Sequence, residues 1–181
     1  MLVVDNTSPF IADILACLDQ LDISYVYRKF SDVSDSDLNA SGSVILSGRS
    51  KHDKKINMIN SSISRYCYNH YKPVLGICYG AEIIALTFGG SINKMPTHVH
   101  GMTLVSVSDQ NSLVGEKKSM LVYESHRYCI AKLPSNFKSI ASSKHCSHEV
   151  FFNQRGIYGT QFHPEKSGRD GLALLKNFSR I

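Results

Sequence analysis

The segment Pro73-Val74-Leu75-Gly76-Ile77-Cys78-Tyr79-Gly80 decides the fold prediction, because an apolar strand leads directly into a cysteine that stands between two glycines. Apolar residues at helical spacing follow at once, at positions Ala81, Ile84, Ala85 and Phe88. Glycines beside a nucleophile permit the sharp strand-to-helix turn that presents its side chain in a cleft. The N-terminus of the helix would also favour the reactive thiolate. The pattern therefore predicts Cys78 as a nucleophile, whereas a cysteine without these flanks is usually a small buried hydrophobic residue.

A second segment, Gln161-Phe162-His163-Pro164-Glu165, supplies a histidine with a carboxylate two residues later. His163 can act as a base toward the Cys78 thiol and then as an acid toward the leaving group. Glu165 can orient the imidazole and stabilise its charged form, while Pro164 restricts the backbone between them. Because triads assemble in space and not in sequence, the two segments together predict a Cys78-His163-Glu165 triad.

The composition is that of an ordinary globular protein, with 181 residues, 43% hydrophobic and 19% charged. This length suits a single domain that covers residues 1–181. The apolar runs are far shorter than the roughly 20 residues that cross a bilayer. The N-terminus has neither the basic region nor the long apolar core of a signal peptide. We therefore expect no membrane association and a cytoplasmic location.

The five cysteines include no C-x-x-C pair and are odd in number, so we expect free thiols. The net charge of +5 is modest and scattered, which argues against nucleic-acid binding. Its densest cluster, residues 51–55, is predicted to be a solvated loop or a helix start. Five residues suggest metal ligands but show no recognised zinc spacing, and we expect no metal. They are His98, His100, His145, Cys146 and His148.

Strands and helices alternate along the first half of the chain. Strands are predicted at 2–5, 23–27, 43–47 and 74–77. Helices are predicted after Ser8, with Ser8 as the cap and Pro9 in the first position, and at about 54–69 and 170–178. Short strands at 103–107 and 120–123 follow a change of pattern at Gly89, and residues 156–162 return to the core. The alternation predicts an α/β fold: an open, mostly parallel twisted sheet with helices on both faces and a small antiparallel extension.

Ligands bind at the carboxyl ends of the strands in such sheets. Asp5, Gly48, Cys78 and His163 all fall just past predicted strand ends. The strand prediction rests on hydrophobicity, so this placement supports the triad independently of the motifs.

These motifs resemble those of class I, triad-type glutamine amidotransferases. The stretch G-I-C-Y-G-A-E-I-I-A-L-T-F-G-G at 76–90 is similar to that family's nucleophile segment, and Y-G-T-Q-F-H-P-E at 158–165 to its His-Glu segment. The resemblance spans essentially the whole chain and implies a flavodoxin-like fold. It also implies hydrolysis of glutamine through a γ-glutamyl thioester, with ammonia delivered to a separate synthetase. ATP and magnesium would belong to that partner, and this chain would carry no cofactor.

The resemblance also assigns substrate contacts. Gly48, in the family's oxyanion loop, and the backbone N–H of Tyr79, directly after the nucleophile, would lie near the oxyanion. The backbone of Ser125 and His126 would contact the amino-acid end of the substrate.

Two residues near these contacts depart from the family pattern. Arg49 replaces the second glycine of Ser-Gly-Gly-Pro, and it would be strained by roughly 1–2 kcal/mol if that position needs a positive φ. Glu82 replaces a glutamine that contacts the substrate. A glutamate only accepts hydrogen bonds when ionised, and its charge would raise the pKa of Cys78.

The segments E-S-H at 124–126 and A-S-S-K-H-C at 141–146 resemble the free-standing glutaminase subunit of archaeal GMP synthase, whose partner is an ATP-pyrophosphatase. D-N-T-S-P-F at 5–10 and H-G-M-T at 100–103 are instead similar to anthranilate and aminodeoxychorismate synthase glutaminases. We favour the GMP synthase branch. The substitutions at Arg49 and Glu82 leave open a catalytically weak regulatory or binding subunit. The triad alone also allows a peptidase or a γ-glutamyl hydrolase.

Overall fold

The computed structural model describes residues 1–50 and 53–181. The strands are β1 (Leu2–Asp5), β2 (Val26–Lys29), β3 (Val44–Leu46), β4 (Val74–Ile77), β5 (Ser91–Val107), β6 (Ser119–Lys132), β7 (Lys138–Ser142), β8 (Val150–Phe152) and β9 (Ile157–Thr160). The α-helices are α1 (Ile11–Gln20), α2 (Asp35–Ala40), α3 (Lys54–Asn69), α4 (Tyr79–Thr87) and α5 (Gly168–Phe178). Short 3-10 helices cover Phe30–Asp32 and Pro164–Lys166.

All nine strands join one sheet in the order β2-β1-β3-β4-β9-β8-β7-β5-β6. The first five strands in this order are parallel to one another. The strands from β8 to β6 pair antiparallel and form the extension. The predicted α/β class, with its parallel core and antiparallel extension, is confirmed.

Helices cover both faces of the parallel sheet, because the side chains of each strand alternate between the faces. Val3 packs with α1 and α5 on one face. Leu2 and Val4 pack with α2, α3 and α4 on the other. These three side chains are fully buried, as expected for a parallel strand with helices on both sides.

Several predicted element boundaries are wrong. The segments at 103–107 and 120–123 are parts of β5 and β6, which pair over most of their length as one long hairpin. The second strand begins at Val26 instead of residue 23. Helix α1 begins at Ile11, and Ser8 does not cap it. The Ser8 N–H donates to Asp5 Oδ1 and its Oγ accepts from the Phe10 N–H, so Ser8 stabilises the turn before the helix.

Helix α3 begins at Lys54, and Asp53 caps it by accepting the Lys55 N–H at 2.7 Å. The segment 51–55 was predicted to be a loop or a helix start, and its last two residues, 54 and 55, do begin a helix. Lys51 and His52 lie outside the described residues. Within 1–50 and 53–181, no helix has the length and apolar character needed to span a bilayer.

We expect Gly80→Ala to destabilise the turn between β4 and α4. A methyl group at Gly80 would lie 2.3 Å from the Leu46 carbonyl oxygen, a backbone atom that cannot move away easily. Overpacking of this kind costs about 1–3 kcal/mol, which lowers Tm by about 2–10 °C in a chain of this size. Gly42→Ala is the matched control, since nothing lies within 4 Å of its new methyl group. Equal Tm values for the two variants in thermal unfolding would contradict this packing.

Candidate active site

Cys78 occupies the sharp turn between β4 and α4. Its backbone has φ 51° and ψ −106°, a conformation that a non-glycine residue adopts at a cost of about 1–3 kcal/mol. The Cys78 N–H donates to the Thr160 carbonyl at 2.7 Å, which ties the turn to the end of β9. Gly76 and Gly80 permit the turn, because a methyl group on either would lie within 2.5 Å of backbone atoms. The predicted strand-turn-helix context of Cys78 is therefore present.

His163 and Glu165 follow the end of β9, the strand next to β4. His163 Nδ1 and Glu165 Oε1 are 2.8 Å apart, so Nδ1–H donates to the carboxylate and Nε2 is left for the thiol. Both residues are buried. Cys78 and His163 flank the same position at Gly48, and each shifts the pKa of the other. The structure thus brings all three predicted triad residues together.

Phe10 contacts the His163 imidazole, and Tyr123 contacts both Phe10 and the His163 backbone. The Phe10 ring meets the His163 ring edge to face, with centroids 4.8 Å apart, and meets the Tyr123 ring at 6.0 Å. The backbone N–H of His163 donates to the Tyr123 carbonyl at 2.9 Å, so the loop after β9 is hydrogen-bonded to β6. Neither aromatic residue was predicted from the sequence.

The environment couples the ionisation of Cys78 to that of His163. Burial raises the pKa of the Cys78 thiol, and the His163 imidazole opposes this rise, while Glu82 and Glu165 add to it. Burial alone would lower the pKa of His163, but Cys78 and Glu165 outweigh it and raise that pKa well above its usual value. Proton transfer from the thiol to the imidazole therefore produces a mutually stabilised ion pair.

Gly48 lies directly beside the pair. A methyl group at Gly48 would lie 3.1 Å from His163 Cε1 and 3.9 Å from Cys78 Cβ. The Arg49 side chain turns toward α3, where its Nη1 donates to Asn57 Oδ1 at 2.9 Å and its guanidinium lies 3.9 Å from the centre of the Tyr79 ring. Arg49 does not have a positive φ, so the strain considered from the sequence does not arise.

Glu82 lies one helical turn after Cys78 and is buried. Its Oε1 accepts from Gln161 Nε2 at 3.3 Å. Burial raises the pKa of Glu82 to about 7, while the Gln161 hydrogen bond and the charges of His126, Arg49 and His163 oppose the rise. Glu82 is therefore close to half protonated at neutral pH. In its protonated form it can donate a hydrogen bond, as an amide does.

Ser125 and His126 lie on β6, and their side chains point to opposite faces. Ser125 pairs with His100 on β5. His126 is buried, with Nε2 2.8 Å from Glu124 Oε2 and Nδ1 2.7 Å from the Tyr128 carbonyl. Its imidazole is thus engaged inside the protein. The contact of the backbone at 125–126 with substrate stays a prediction.

A pair of buried carboxyl groups lies behind His126. Glu124 and Glu149 are both fully buried, and Glu149 Oε1 accepts from Ser143 Oγ at 2.6 Å. Glu124 Oε1 and Glu149 Oε2 find no donor among the other described groups, so a proton shared between the two carboxyls satisfies both. Burial raises the pKa of Glu149 to about 9, and the charge of Glu124 contributes to this rise.

This pair makes stability depend on pH. The folded state keeps a proton on Glu149 that the unfolded state loses above a pKa of about 4.5, so stability falls as the pH rises from about 4.5 to about 9. We expect Glu149→Gln to flatten that decline and to raise Tm at pH 8 by about 2–4 °C or more. The exposed Glu116→Gln is the control. A parallel decline in Tm for wild type and Glu149→Gln would contradict the assignment.

His98 and His100, two of the histidines considered as metal ligands, line one cavity with His145. His98 and His100 have ring centroids 5.8 Å apart. Among residues 1–50 and 53–181, no group of three His, Cys, Asp or Glu side chains is arranged to hold a metal ion.

Sequence reasoning missed Gln161 and the carboxyl pair. Gln161 stands inside the quoted His-Glu segment, and its place two residues before His163 on a buried strand end could have suggested a role. Glu149 directly precedes the short strand β8, and no motif surrounds it. Its role depends on contact with β6, which no local pattern reveals.

The comparisons with known proteins agree with this geometry. The family "Glutamine amidotransferase class-I" matches residues 2–181. A glutamine-hydrolysing GMP synthase subunit of Thermoplasma acidophilum is 37% identical over 158 residues, which cover 83% of this chain and 77% of that protein. The GMP synthase of Borreliella burgdorferi is 36% identical over 146 residues, which cover 78% of this chain and 28% of that protein.

A crystal structure from Thermoplasma acidophilum, of a protein provisionally assigned as a GMP synthase subunit, superposes with a TM-score of 0.87 at 33% identity. The superposition covers 99% of this chain and 91% of that one. A match over nearly all residues, together with the nucleophile turn at Cys78, leads to one conclusion: the chain belongs to the class I glutamine amidotransferase family.

Proposed function

We propose that this chain is the glutaminase subunit of a GMP synthase, with Cys78 as nucleophile, His163 as acid and base, and Glu165 as the residue that orients His163. One observation carries the proposal. The three side chains meet at the carboxyl ends of two neighbouring parallel strands, in a chain that is similar over most of its length to a glutamine-hydrolysing GMP synthase subunit.

In the proposed reaction, the Cys78 sulfur attacks the γ-carbonyl carbon of glutamine while its proton passes to His163 Nε2. The tetrahedral intermediate collapses as His163 returns that proton to the leaving nitrogen, which departs as ammonia. Water, activated by the same imidazole, then attacks the γ-glutamyl thioester. Glutamate leaves and the thiol regains its proton.

Backbone N–H groups would stabilise the oxyanion. The first N–H groups of a helix have no acceptor within the helix, so that of Tyr79 can point at the developing charge. Gly48, in contact distance of His163, is the natural source of a second donor. The Arg49 side chain is held over Tyr79, so Arg49 would contribute through its backbone and by keeping that ring in place.

We expect Glu82→Gln to increase glutamine hydrolysis above pH 7 more than below it. Burial raises the pKa of Glu82 to about 7, so its charge develops above that pH and then opposes ionisation of Cys78. Glutamine removes that charge and keeps the hydrogen-bonding shape. The ratio of variant to wild-type kcat/KM should rise about threefold to tenfold between pH 6 and pH 9. A ratio that stays constant across this range would contradict a charge effect.

The partner follows from the same proposal. The GMP synthase of Borreliella burgdorferi contains a segment similar to this chain within a much longer protein, whereas the Thermoplasma acidophilum relative is named as a subunit of its GMP synthase. Here the synthetase would be a separate ATP-pyrophosphatase subunit. It would bind ATP and magnesium and accept the ammonia.

The test is GMP formation from XMP and ATP by the chain mixed with a GMP synthase ATP-pyrophosphatase subunit. Glutamine and ammonium chloride serve as alternative nitrogen donors. We expect Cys78→Ala to abolish the reaction with glutamine and to leave that with ammonium unchanged. Cys78-dependent ammonia release without transfer to XMP would point to another synthetase, as in the anthranilate or aminodeoxychorismate branches. No ammonia release from the folded complex would favour a regulatory subunit.

A further inference from the structure

The outer side of the β5–β6 hairpin carries apolar side chains in solvent. The register pairs Leu104 with Leu121 and Met102 with Tyr123. Leu104, Met102 and Leu121 are 63%, 54% and 50% exposed. A contiguous exposed apolar patch marks an interaction surface, whereas one exposed residue does not. We call this patch the hairpin face; its residues are His100, Met102, Leu104, Leu121, Tyr123 and Ser125.

The hairpin face adjoins the candidate active site. Tyr123 accepts the His163 N–H through its carbonyl, and its ring contacts Phe10, which contacts the His163 ring. A cavity of about 760 Å³ next to Leu121 extends to the helix start that follows the His163 loop. A protein docked on this face would therefore lie next to the candidate active site.

Basic side chains lie on two sides of the face, and we call them the basic rim. Cavities on these two sides are lined by Lys117, Lys144, His145, Lys166 and Arg169. Two carboxylates offset part of this charge, since Asp170 pairs with Lys117 and Asp13 with Lys166. The rim therefore keeps an excess of positive charge and is complementary to an acidic surface.

This charge also disfavours a second copy of the chain as the occupant. In a two-fold dimer the same patch meets itself, so the basic rims of both copies would face each other. Strand addition at the edge of β6 is disfavoured as well. The Leu121 N–H donates to Asp170 Oδ2 and the Tyr123 N–H to Ser167 Oγ, so these edge donors are already engaged.

We propose that the hairpin face docks the synthetase subunit, through an apolar patch on that subunit that is bordered by carboxylates. The inference rests on the proposed function, because it takes the synthetase as the partner. It adds the surface, the side chains and the sign of charge that the partner must present.

The test measures binding of the full chain to a purified GMP synthase ATP-pyrophosphatase subunit by titration calorimetry. We expect Leu104→Asp to weaken binding by about 30-fold or more, because it places a charge in the centre of an apolar contact. Met58→Asp is the matched control, since Met58 is 71% exposed on α3 and should leave the affinity unchanged. Ammonia release by each isolated variant should equal that of wild type.

A second variant keeps the test valid if Leu104→Asp does not fold. Arg169→Glu, exposed in the first turn of α5, should weaken binding and reduce its dependence on salt. If the wild-type chain binds the synthetase subunit and both Leu104→Asp and Arg169→Glu bind it with the same affinity, the proposed docking surface is wrong. The proposed function would be unaffected by that result. Absence of any wild-type complex would overturn both. If the chain self-associates and Leu104→Asp abolishes this self-association, the face binds a second copy. That result would overturn the synthetase as its occupant.

Discussion

His163→Asn should reduce kcat for glutamine hydrolysis by at least about 10³-fold while the fold is retained. The Cys78 thiol is buried, which raises its pKa, and His163 opposes that rise. Asparagine can neither take the thiol proton nor return it to the leaving nitrogen. The measurement is ammonia release from glutamine under single-turnover conditions.

A second measurement on His163→Asn is the rate at which iodoacetamide alkylates Cys78. In wild type the His163 charge opposes the rise in the pKa of Cys78, so alkylation should begin at a lower pH than in His163→Asn, where reactivity should rise only at alkaline pH. His70→Asn is the control, because His70 is exposed at the end of α3 and stacks on Tyr66. Unchanged ammonia release in His163→Asn would remove His163 from the mechanism.

Glu165→Gln should reduce kcat by about 10²–10⁴-fold with little change in KM. Glutamine has the shape of glutamate, and its oxygen can still accept from His163 Nδ1, as Glu165 Oε1 does at 2.8 Å. It carries no charge to stabilise the imidazolium. In addition, its amide group would occupy the place of Glu165 Oε2, where the described structure offers no hydrogen-bond partner.

Loss of the Glu165 charge should also lower the pKa of His163, because Glu165 contributes to raising it. The acidic limb of the kcat/KM profile should shift with it, and Tm should fall by no more than a few degrees. Wild-type activity in a fully folded Glu165→Gln variant would show that the carboxylate only packs beside His163.

The parallel half of the fold and the proximity of Cys78, His163 and Glu165 were predictable, because they depend on local patterns. The apolar strand at 74–77 and the glycines around Cys78 predict the strand-to-helix turn from only a few residues. The ends of parallel strands meet at one edge of the sheet, so Cys78, His163 and Gly48 could be placed together before any coordinates.

The rest of the site depends on contacts between distant segments. Burial raises the pKa of Glu82 and changes its chemistry, while the hydrogen bond from Gln161 opposes the rise. Its sequence position indicated only an ionised acceptor. The length of the β5–β6 hairpin was hidden because its outer positions mix apolar, polar and glycine residues, so only the parts at 103–107 and 120–123 alternate clearly. Ser8 looked like a helix cap, yet Asp5 and Phe10 engage it in the preceding turn.

The most direct test of the account is intact-protein mass spectrometry of the chain mixed with glutamine and quenched in acid, with Cys78→Ala in parallel. The account predicts that wild type gains the mass of one γ-glutamyl group, mapped to Cys78 after digestion, and that Cys78→Ala gains nothing and releases no ammonia. An adduct that persists in Cys78→Ala, or ammonia release that survives the substitution, would contradict attack by this thiol.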